Sequence, residues 1–141
     1  YLDLVQQCKD AGKLAYERKN RAGALDAFAA AVDHAMGALK ESGNPAHRAG
    51  ARRALAVCWA NRAAALLMEG PGMDAKEALD HAQKAEVADP TYVKAYHRQA
   101  RAHEILGDVE KAREATRRAM QKPGLQGERS LREQLSRREA R

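Results

Sequence analysis

The feature that most constrains this chain is its regular division into helical segments by turn signals. Segments with apolar residues at intervals of three and four alternate with stretches rich in glycine, proline and asparagine. These stretches lie at 17–23, 42–45, 69–72, 88–91, 106–108 and 122–127. They leave seven predicted helices, at about 2–18, 22–42, 45–69, 73–88, 91–106, 108–121 and 127–141. No segment alternates with a period of two, so the sequence predicts an all-α protein.

The composition fits helices that pack closely together. Hydrophobic residues make up 45% of the chain, but much of that share is alanine, with only one Phe, one Trp and four Tyr. Alanine lets helix backbones approach each other, whereas strands favour β-branched and aromatic side chains. The length of 141 residues is that of one ordinary domain.

The segments also repeat in pairs, with small and aromatic residues in the same order. The third pair holds Tyr96, Ala100, a turn at 107–108, Ala112, Ala119 and Pro123. The second holds Trp59, Ala63, Ala78, Ala82, Ala85 and Pro90, and the first holds Gly12, Tyr16, Ala24, Phe28 and Ala31. Small residues are expected where the two helices of a unit touch, because a larger side chain would hold them apart.

This order resembles the tetratricopeptide repeat, a helix–turn–helix unit of about 34 residues. The resemblance implies a right-handed superhelix of three repeats with a concave peptide groove, in a domain at 1–126. The repeats would lie at about 5–42, 45–90 and 91–124, and a C-terminal capping helix at 127–141 would close the array. The alternative for that highly charged last segment is a basic helix that binds a membrane or calmodulin.

The distances between equivalent small residues show where the chain departs from an even repeat. Gly12 and Ala63 are 51 residues apart, and Ala63 and Ala100 are 37 apart. Both distances exceed the repeat length of about 34 residues. The smaller excess falls in a longer turn inside the second unit. The larger excess falls between the first two units, where only 42–45 is loop-like. We therefore expect the two flanking helices to be about two turns longer each, as in the repeat domains of large peptidyl-prolyl isomerases that serve as co-chaperones.

No pattern in the sequence supports an active site. The five histidines show no HxxxH or HExxH spacing, and Cys8 and Cys58 have no metal-binding spacing. Neither a phosphate-binding glycine loop nor a GxSxG motif is present. We predict a protein that is not an enzyme and has no catalytic residue, no metal and no cofactor.

The cysteines and the apolar runs bear on the cellular setting. Two cysteines without CxxC spacing fit reduced thiols in the cytoplasm or the nucleus. No apolar run approaches the roughly 20 residues that span a bilayer, and no signal peptide is visible. We therefore expect no membrane partner. The chain begins at Tyr1, and we expect it to be part of a larger polypeptide.

Five polar residues on the first helices of the three pairs carry the functional prediction. They are Lys9, Lys13, Asn61, Lys94 and Arg98. Their offsets from the small residue of each first helix are comparable, so stacked repeats should project them toward one concave groove. The set is similar to the dicarboxylate clamp of tetratricopeptide co-chaperones, which holds an extreme C-terminal Glu-Glu-Val-Asp peptide. That family usually has Asn where this chain has Lys13, which can still donate to a carboxylate but adds a full charge and a longer stem.

The resemblance implies an interaction module for the C-terminal peptide of a ninety- or seventy-kilodalton heat-shock chaperone. The physical chemistry agrees, since a C-terminal Asp presents two carboxylates that need several convergent donors. Charge-assisted hydrogen bonds contribute about 1.5–3 kcal/mol each when well formed. The small side chain of Ala64 would leave room for an apolar side chain of the peptide.

The net charge of +6 leaves other anionic partners open. The alternative is a scaffold that binds another acidic protein, or RNA, through basic residues such as Arg113, Arg117 and Arg118. RNA is the less expected of the two, because no aromatic residues interleave with the basic ones for stacking. A third hypothesis is a clamp whose peptide is not a chaperone tail.

Aromatic residues and one cysteine are expected to pack inside the domain. They are Trp59, Tyr96, Tyr16, Phe28 and Cys58. The stretch 88–91 is expected to begin the fifth helix, with Pro90 in its first turn and Asp89 or Thr91 as the N-cap.

Overall fold

The computed structural model describes residues 2–123, 133, 136 and 137. Within those residues it forms α1 (Leu2–Glu17), α2 (Arg21–Glu41), α3 (Pro45–Leu67), α4 (Ala75–Ala88), α5 (Val93–Ile105) and α6 (Val109–Met120). Six of the predicted helices are thereby confirmed, each end within two residues of its expected place. The predicted capping helix at 127–141 lies outside the described residues, apart from 133, 136 and 137, which are helical.

The helices pack in a stacked order. Each helix contacts the next one along the chain, from α1 to α6, and the first helices also contact each other in series, α1 with α3 and α3 with α5. A repeat unit cannot bury its apolar face alone, so stacking of neighbours creates the continuous core. The three first helices consequently lie side by side and can present polar side chains to a common surface.

Short polar side chains fix where four of the helices begin. Asn20 precedes α2, Asn44 precedes α3, Asp74 precedes α4 and Asp108 precedes α6, and each accepts a hydrogen bond from a backbone N–H at 2.9–3.1 Å. Such N-caps satisfy donors that have no partner inside the helix and contribute about 1 kcal/mol each. Several of the turns predicted from the sequence therefore contain the side chain that caps the helix after them.

The prediction for the start of α5 is wrong by two residues, and the predicted cap does not form. The helix begins at Val93, after Tyr92, whose side chain makes no capping bond. Asp89 instead accepts hydrogen bonds from the backbone N–H of Thr91 at 3.0 Å and from its hydroxyl at 2.6 Å. Arg53 of α3 also donates to the Asp89 carboxylate, at 3.1 Å. These contacts stabilise a turn ahead of the helix, so the Asp89 carboxylate is engaged in that turn and not at a helix N-cap.

Alanine occupies the places where the helices approach most closely. Ala24, Ala63, Ala78 and Ala100 are all fully buried. Gly12 of α1 faces the ring of Phe28 so closely that a Cβ at this position would overlap the aromatic carbons. The small residues of the repeat pattern are therefore required by contact between paired helices, as expected from the sequence.

The two helices that flank 42–45 are longer than the others. α2 has 21 residues and α3 has 23, whereas α4, α5 and α6 have 14, 13 and 12. α1 has 16, so α2 and α3 exceed the other described helices by 5 to 11 residues, about one and a half to three turns, and the expected lengthening is confirmed. Arg48 of α3 donates to the carbonyl oxygens of Leu39 and Ser42, which secures the far end of α2 against α3.

A single arginine holds the end of α3 and the turn that follows it. Nη1 of Arg21, the first residue of α2, donates to the carbonyls of Ala65 at 2.8 Å and Met68 at 2.7 Å. Nε donates to the carbonyl of Pro71 at 3.2 Å, and Nη2 reaches those of Glu69 and Gly70 at 3.4 and 3.3 Å. These acceptors include carbonyls that a helix C-terminus leaves without partners. Arg21 therefore ties the first repeat to the second.

Candidate functional site

A cavity of about 140 Å³ lies between the three first helices and α2. Its lining residues are Lys13, Tyr16 and Glu17 of α1, Phe28 of α2, Asn61 and Ala64 of α3, and Arg98 of α5. Lys13, Asn61 and Arg98, one predicted site residue from each repeat, thus share one cavity. Ala64 lines it as well, at the place where the sequence suggested room for an apolar group.

Two hydrogen-bond donors in this cavity wall have no partner among the residues that the structure describes. The amide nitrogen Nδ2 of Asn61 and the guanidinium nitrogen Nε of Arg98 are both buried without a hydrogen bond. Buried polar groups in folded proteins are nearly always paired, and an unpaired one costs about 1–3 kcal/mol. The cavity thus holds unsatisfied donors from two repeats, a neutral amide and a cation, which favour an anionic or carbonyl acceptor between them.

Arg98 also forms no ion pair with any residue that the structure describes. Burial lowers the pKa of the Arg98 guanidinium below its usual value, and the nearby Tyr92 and Tyr16 offset only part of that effect. Removing a cation from water is costly unless a counter-charge is supplied. A carboxylate bound beside Arg98 would supply that charge.

The other two predicted residues lie one turn away from the cavity. Lys9 is half-buried on α1, four residues before Lys13, and it lies close enough to Cys58 for its charge to lower the pKa of that thiol. Lys94 is half-buried on α5, four residues before Arg98. Residues four apart share a helix face, so both lysines extend the basic surface from the cavity toward the N-terminal ends of α1 and α5.

Three lining residues were not predicted for this site. Tyr16 was expected to pack inside, but it is 39% exposed and lines the cavity, so that prediction is wrong. Phe28 is buried, as expected, and its ring also lines the cavity. Glu17 was not considered. Tyr16 and Glu17 follow Lys13 by three and four residues, and this spacing alone places them on the same face of α1.

The remaining predicted packing residues lie outside the cavity. Tyr96 is 1% exposed, and its hydroxyl donates to the carbonyl of Pro90 at 2.6 Å. Cys58 is fully buried, and burial raises the pKa of its thiol to about 11, so it stays protonated at neutral pH. Trp59 is half-buried, with its ring centroid 5.0 Å from that of His81 and Lys84 Nζ 4.7 Å above it. These contacts give all three a structural role.

His81 should make the stability of the domain fall in mild acid. Burial, followed by the charge of Arg62, lowers the pKa of this imidazole below its ordinary value of 6.5. Because the folded-state pKa lies below the unfolded one, the unfolded chain takes up the proton first as the pH falls. Stability that is fully present above about pH 6.5 is therefore lost below it.

Urea unfolding on either side of pH 6.5 measures this loss. A His81→Gln variant should lose less free energy of unfolding between the two pH values than the wild-type chain does. Comparing pH slopes removes any cost of the substitution that does not depend on pH. Equal slopes for the two proteins would contradict the assignment.

Two further properties concern the described part of the chain. No group of three or more His, Cys, Asp or Glu side chains there could hold a metal ion. No helix among the described residues combines the length and the apolar character needed to cross a membrane.

No family model and no curated protein matches this chain. Among solved structures, the TPR2B-domain:pHsp70 complex of yeast Sti1 is similar, with a TM-score of 0.76 and 22% identity over 97% of this chain and 94% of that chain. The TPR2AB-domain:pHSP90 complex of yeast Sti1 gives 0.74 and 22% over 99% of this chain and 46% of that one. The Arabidopsis OM64 TPR domain gives 0.61 and 26% over 84% and 81%. Together with the six helices in stacked pairs that the described residues form, these matches show that the chain adopts the tetratricopeptide repeat fold.

Proposed function

We propose that this domain binds the acidic C-terminal tail of a heat-shock chaperone of the ninety- or seventy-kilodalton class. The binding residues would be Lys9, Lys13, Asn61, Lys94 and Arg98, acting as a dicarboxylate clamp. The observation that carries the proposal is the cavity in which Asn61 and Arg98 hold unpartnered buried donors next to Lys13. A domain that binds such a tail would serve as a cytoplasmic or nuclear adaptor with no enzymatic activity of its own.

The known structures with this fold support the choice of ligand. The two Sti1 structures are of complexes, one with pHsp70 and one with pHSP90. In this chain the donors come from three repeats, so a bound peptide would cross the groove and contact each first helix. Asn61 can donate to a carboxylate or to a peptide carbonyl, while Arg98 and Lys13 supply charge.

The expected affinity is moderate. Well-formed charge-assisted hydrogen bonds contribute about 1.5–3 kcal/mol each, but a short flexible peptide loses conformational freedom when it binds. We therefore expect a dissociation constant on the order of micromolar, equivalent to about 8 kcal/mol. Titration with a synthetic peptide that ends in Glu-Glu-Val-Asp tests the proposal directly, and the absence of heat and of any spectral change at millimolar peptide would contradict it.

The alternative, binding of another acidic protein or RNA through the basic surface of α6, depends on residues that are already partly engaged. Arg113 pairs with Glu110 at 3.2 Å. Arg118 pairs with Glu86 of α4 and lies over the ring of Tyr96 at 4.9 Å. Arg117 is the exposed member of the three. Charge reversal by Arg117→Glu separates the hypotheses, since it should weaken binding to α6 and leave capture of a peptide in the cavity unchanged.

A further inference from the structure

The two cysteines of the chain lie against the same buried cluster. Cys58 of α3 is fully buried and packs in this cluster with Val5 of α1 and Val32 of α2. Cys8 follows Val5 by three residues, which places it on the same face of α1, and it is half-buried against the cluster. Both thiols are free. A half-buried thiol and a buried one thus lie in one cluster, where the first helices of the first two repeats contact each other.

Electrostatics and backbone spacing both bring these thiols together. Burial is the main reason that the pKa of the Cys58 thiol is raised to about 11; the charge of Lys9 lowers this pKa, and Cys8 raises it. Charges influence each other less as their separation grows, so Cys8 and Cys58 are neighbours. Cα atoms of α1 and α3 come within 8 Å of each other. A disulfide joins residues whose Cα atoms are about 4.4–6.8 Å apart, so the two helices lie near the separation that such a bond requires.

We propose that Cys8 and Cys58 are a redox modification site, at which an intramolecular disulfide links the first helix of the first repeat to the first helix of the second. The chain has no third cysteine, so an intramolecular bond can join only this pair. The bond would fix α1 against α3, the helices that carry Lys9 and Asn61. The inference does not depend on the proposed function, because it concerns a covalent bond within the chain.

A small disulfide such as oxidised glutathione can act as the oxidant. The thiolate of Cys8, the more exposed of the two residues, attacks one sulfur of the glutathione disulfide and releases one glutathione. Cys58 then attacks the Cys8 sulfur of this mixed disulfide and releases the second glutathione. Two protein thiols are oxidised, one glutathione disulfide is reduced, and the two thiol protons pass to the released glutathione molecules. Because the thiolate is the nucleophile and Cys58 stays protonated at neutral pH, the second step is the slower one.

Incubation of the full chain with oxidised glutathione, followed by intact-mass spectrometry, tests the proposal. The wild-type chain should end as a monomer that is lighter by two hydrogen atoms and has no free thiol. Cys58→Ala should stop at the mixed disulfide of Cys8. Cys8→Ser should remain largely unmodified, because its one remaining thiol is fully buried.

The bond should also raise the melting temperature. Cys8 and Cys58 are 50 positions apart, and a bridge across a loop of this length restricts the unfolded chain. For a domain of this size the oxidised wild type should melt about 5–15 °C above the reduced wild type. Dithiothreitol should reverse the shift, and Cys8→Ser treated in the same way should show none.

Four results for the wild-type chain would overturn the inference. They are a product that stays at the glutathione adduct, a dimer joined through cysteine, two thiols that remain free, and an oxidised monomer that melts below the reduced one. Because all four are measured on the wild type, none depends on whether a cysteine variant folds.

Discussion

Replacement of Arg98 by methionine should weaken binding of an acidic C-terminal peptide about thirtyfold or more, without loss of stability. Removing one partner of a buried, hydrogen-bonded charge pair costs about 2–5 kcal/mol of binding free energy. In the free domain, however, Nε of Arg98 is buried, and among the described residues it has no hydrogen bond and Arg98 has no ion pair. An apolar side chain of similar length relieves that cost, so the melting temperature should stay the same or rise.

This opposite effect on binding and on stability distinguishes a ligand site from a structural one. Arg117→Met on α6 is the matched control, because it removes the same charge from an exposed position. It should change neither the affinity nor the melting temperature by a comparable amount. A large loss of stability in Arg98→Met, or peptide affinity equal to that of the wild-type chain, would contradict the role assigned to Arg98.

Replacement of Arg21 by methionine should lower the free energy of unfolding by about 2–4 kcal/mol. Its five hydrogen bonds to backbone carbonyls at 65–71 would be lost, and two of these, to Ala65 and Met68, are partly buried. Hydrogen bonds to charged groups contribute about 1.5–3 kcal/mol each, less where water replaces them. For a domain of this size the melting temperature should fall by roughly 10 °C.

Urea unfolding followed by circular dichroism measures the effect. Arg18→Met, at an exposed position in the same turn, is the control and should be nearly neutral. Arg21→Lys should recover only part of the loss, because an ammonium group lacks the planar fork that reaches several carbonyls at once. A change below about 0.5 kcal/mol, which is usual for surface substitutions, would mean that the carbonyls at the end of α3 find other partners.

The helices could be predicted because their signals are local. Apolar spacing and short capping side chains act within one turn of chain, so the six described helices end within two residues of the expected positions. The start of α5 could not be predicted in the same way. Asp89 has Arg53 as a partner, 36 residues earlier in the chain, and a contact of that range leaves no mark on the segment around 89.

The candidate site was predictable to the extent that repeats impose equal offsets. Asn61 and Arg98 each lie two residues before the small residue of their first helix, and both line the cavity together with Lys13. Spacing from Lys13 places Tyr16 and Glu17 on the same face of α1, but the exposure of Tyr16 depends on how the neighbouring helices pack, which spacing does not give. The hydrogen bonds of Arg21 join residues 44–50 positions apart and likewise require the assembled fold.

The central claim is that the groove recognises two carboxylates at the end of a peptide. Calorimetric titration with a Met-Glu-Glu-Val-Asp peptide, as free acid and as C-terminal amide, tests it most directly, because amidation removes one carboxylate and leaves the side chains unchanged. The free acid should bind with a dissociation constant on the order of micromolar, and the amide at least about tenfold more weakly, since one charge-assisted contact of about 1.5 kcal/mol or more is lost. Equal affinity for the two forms would contradict the clamp.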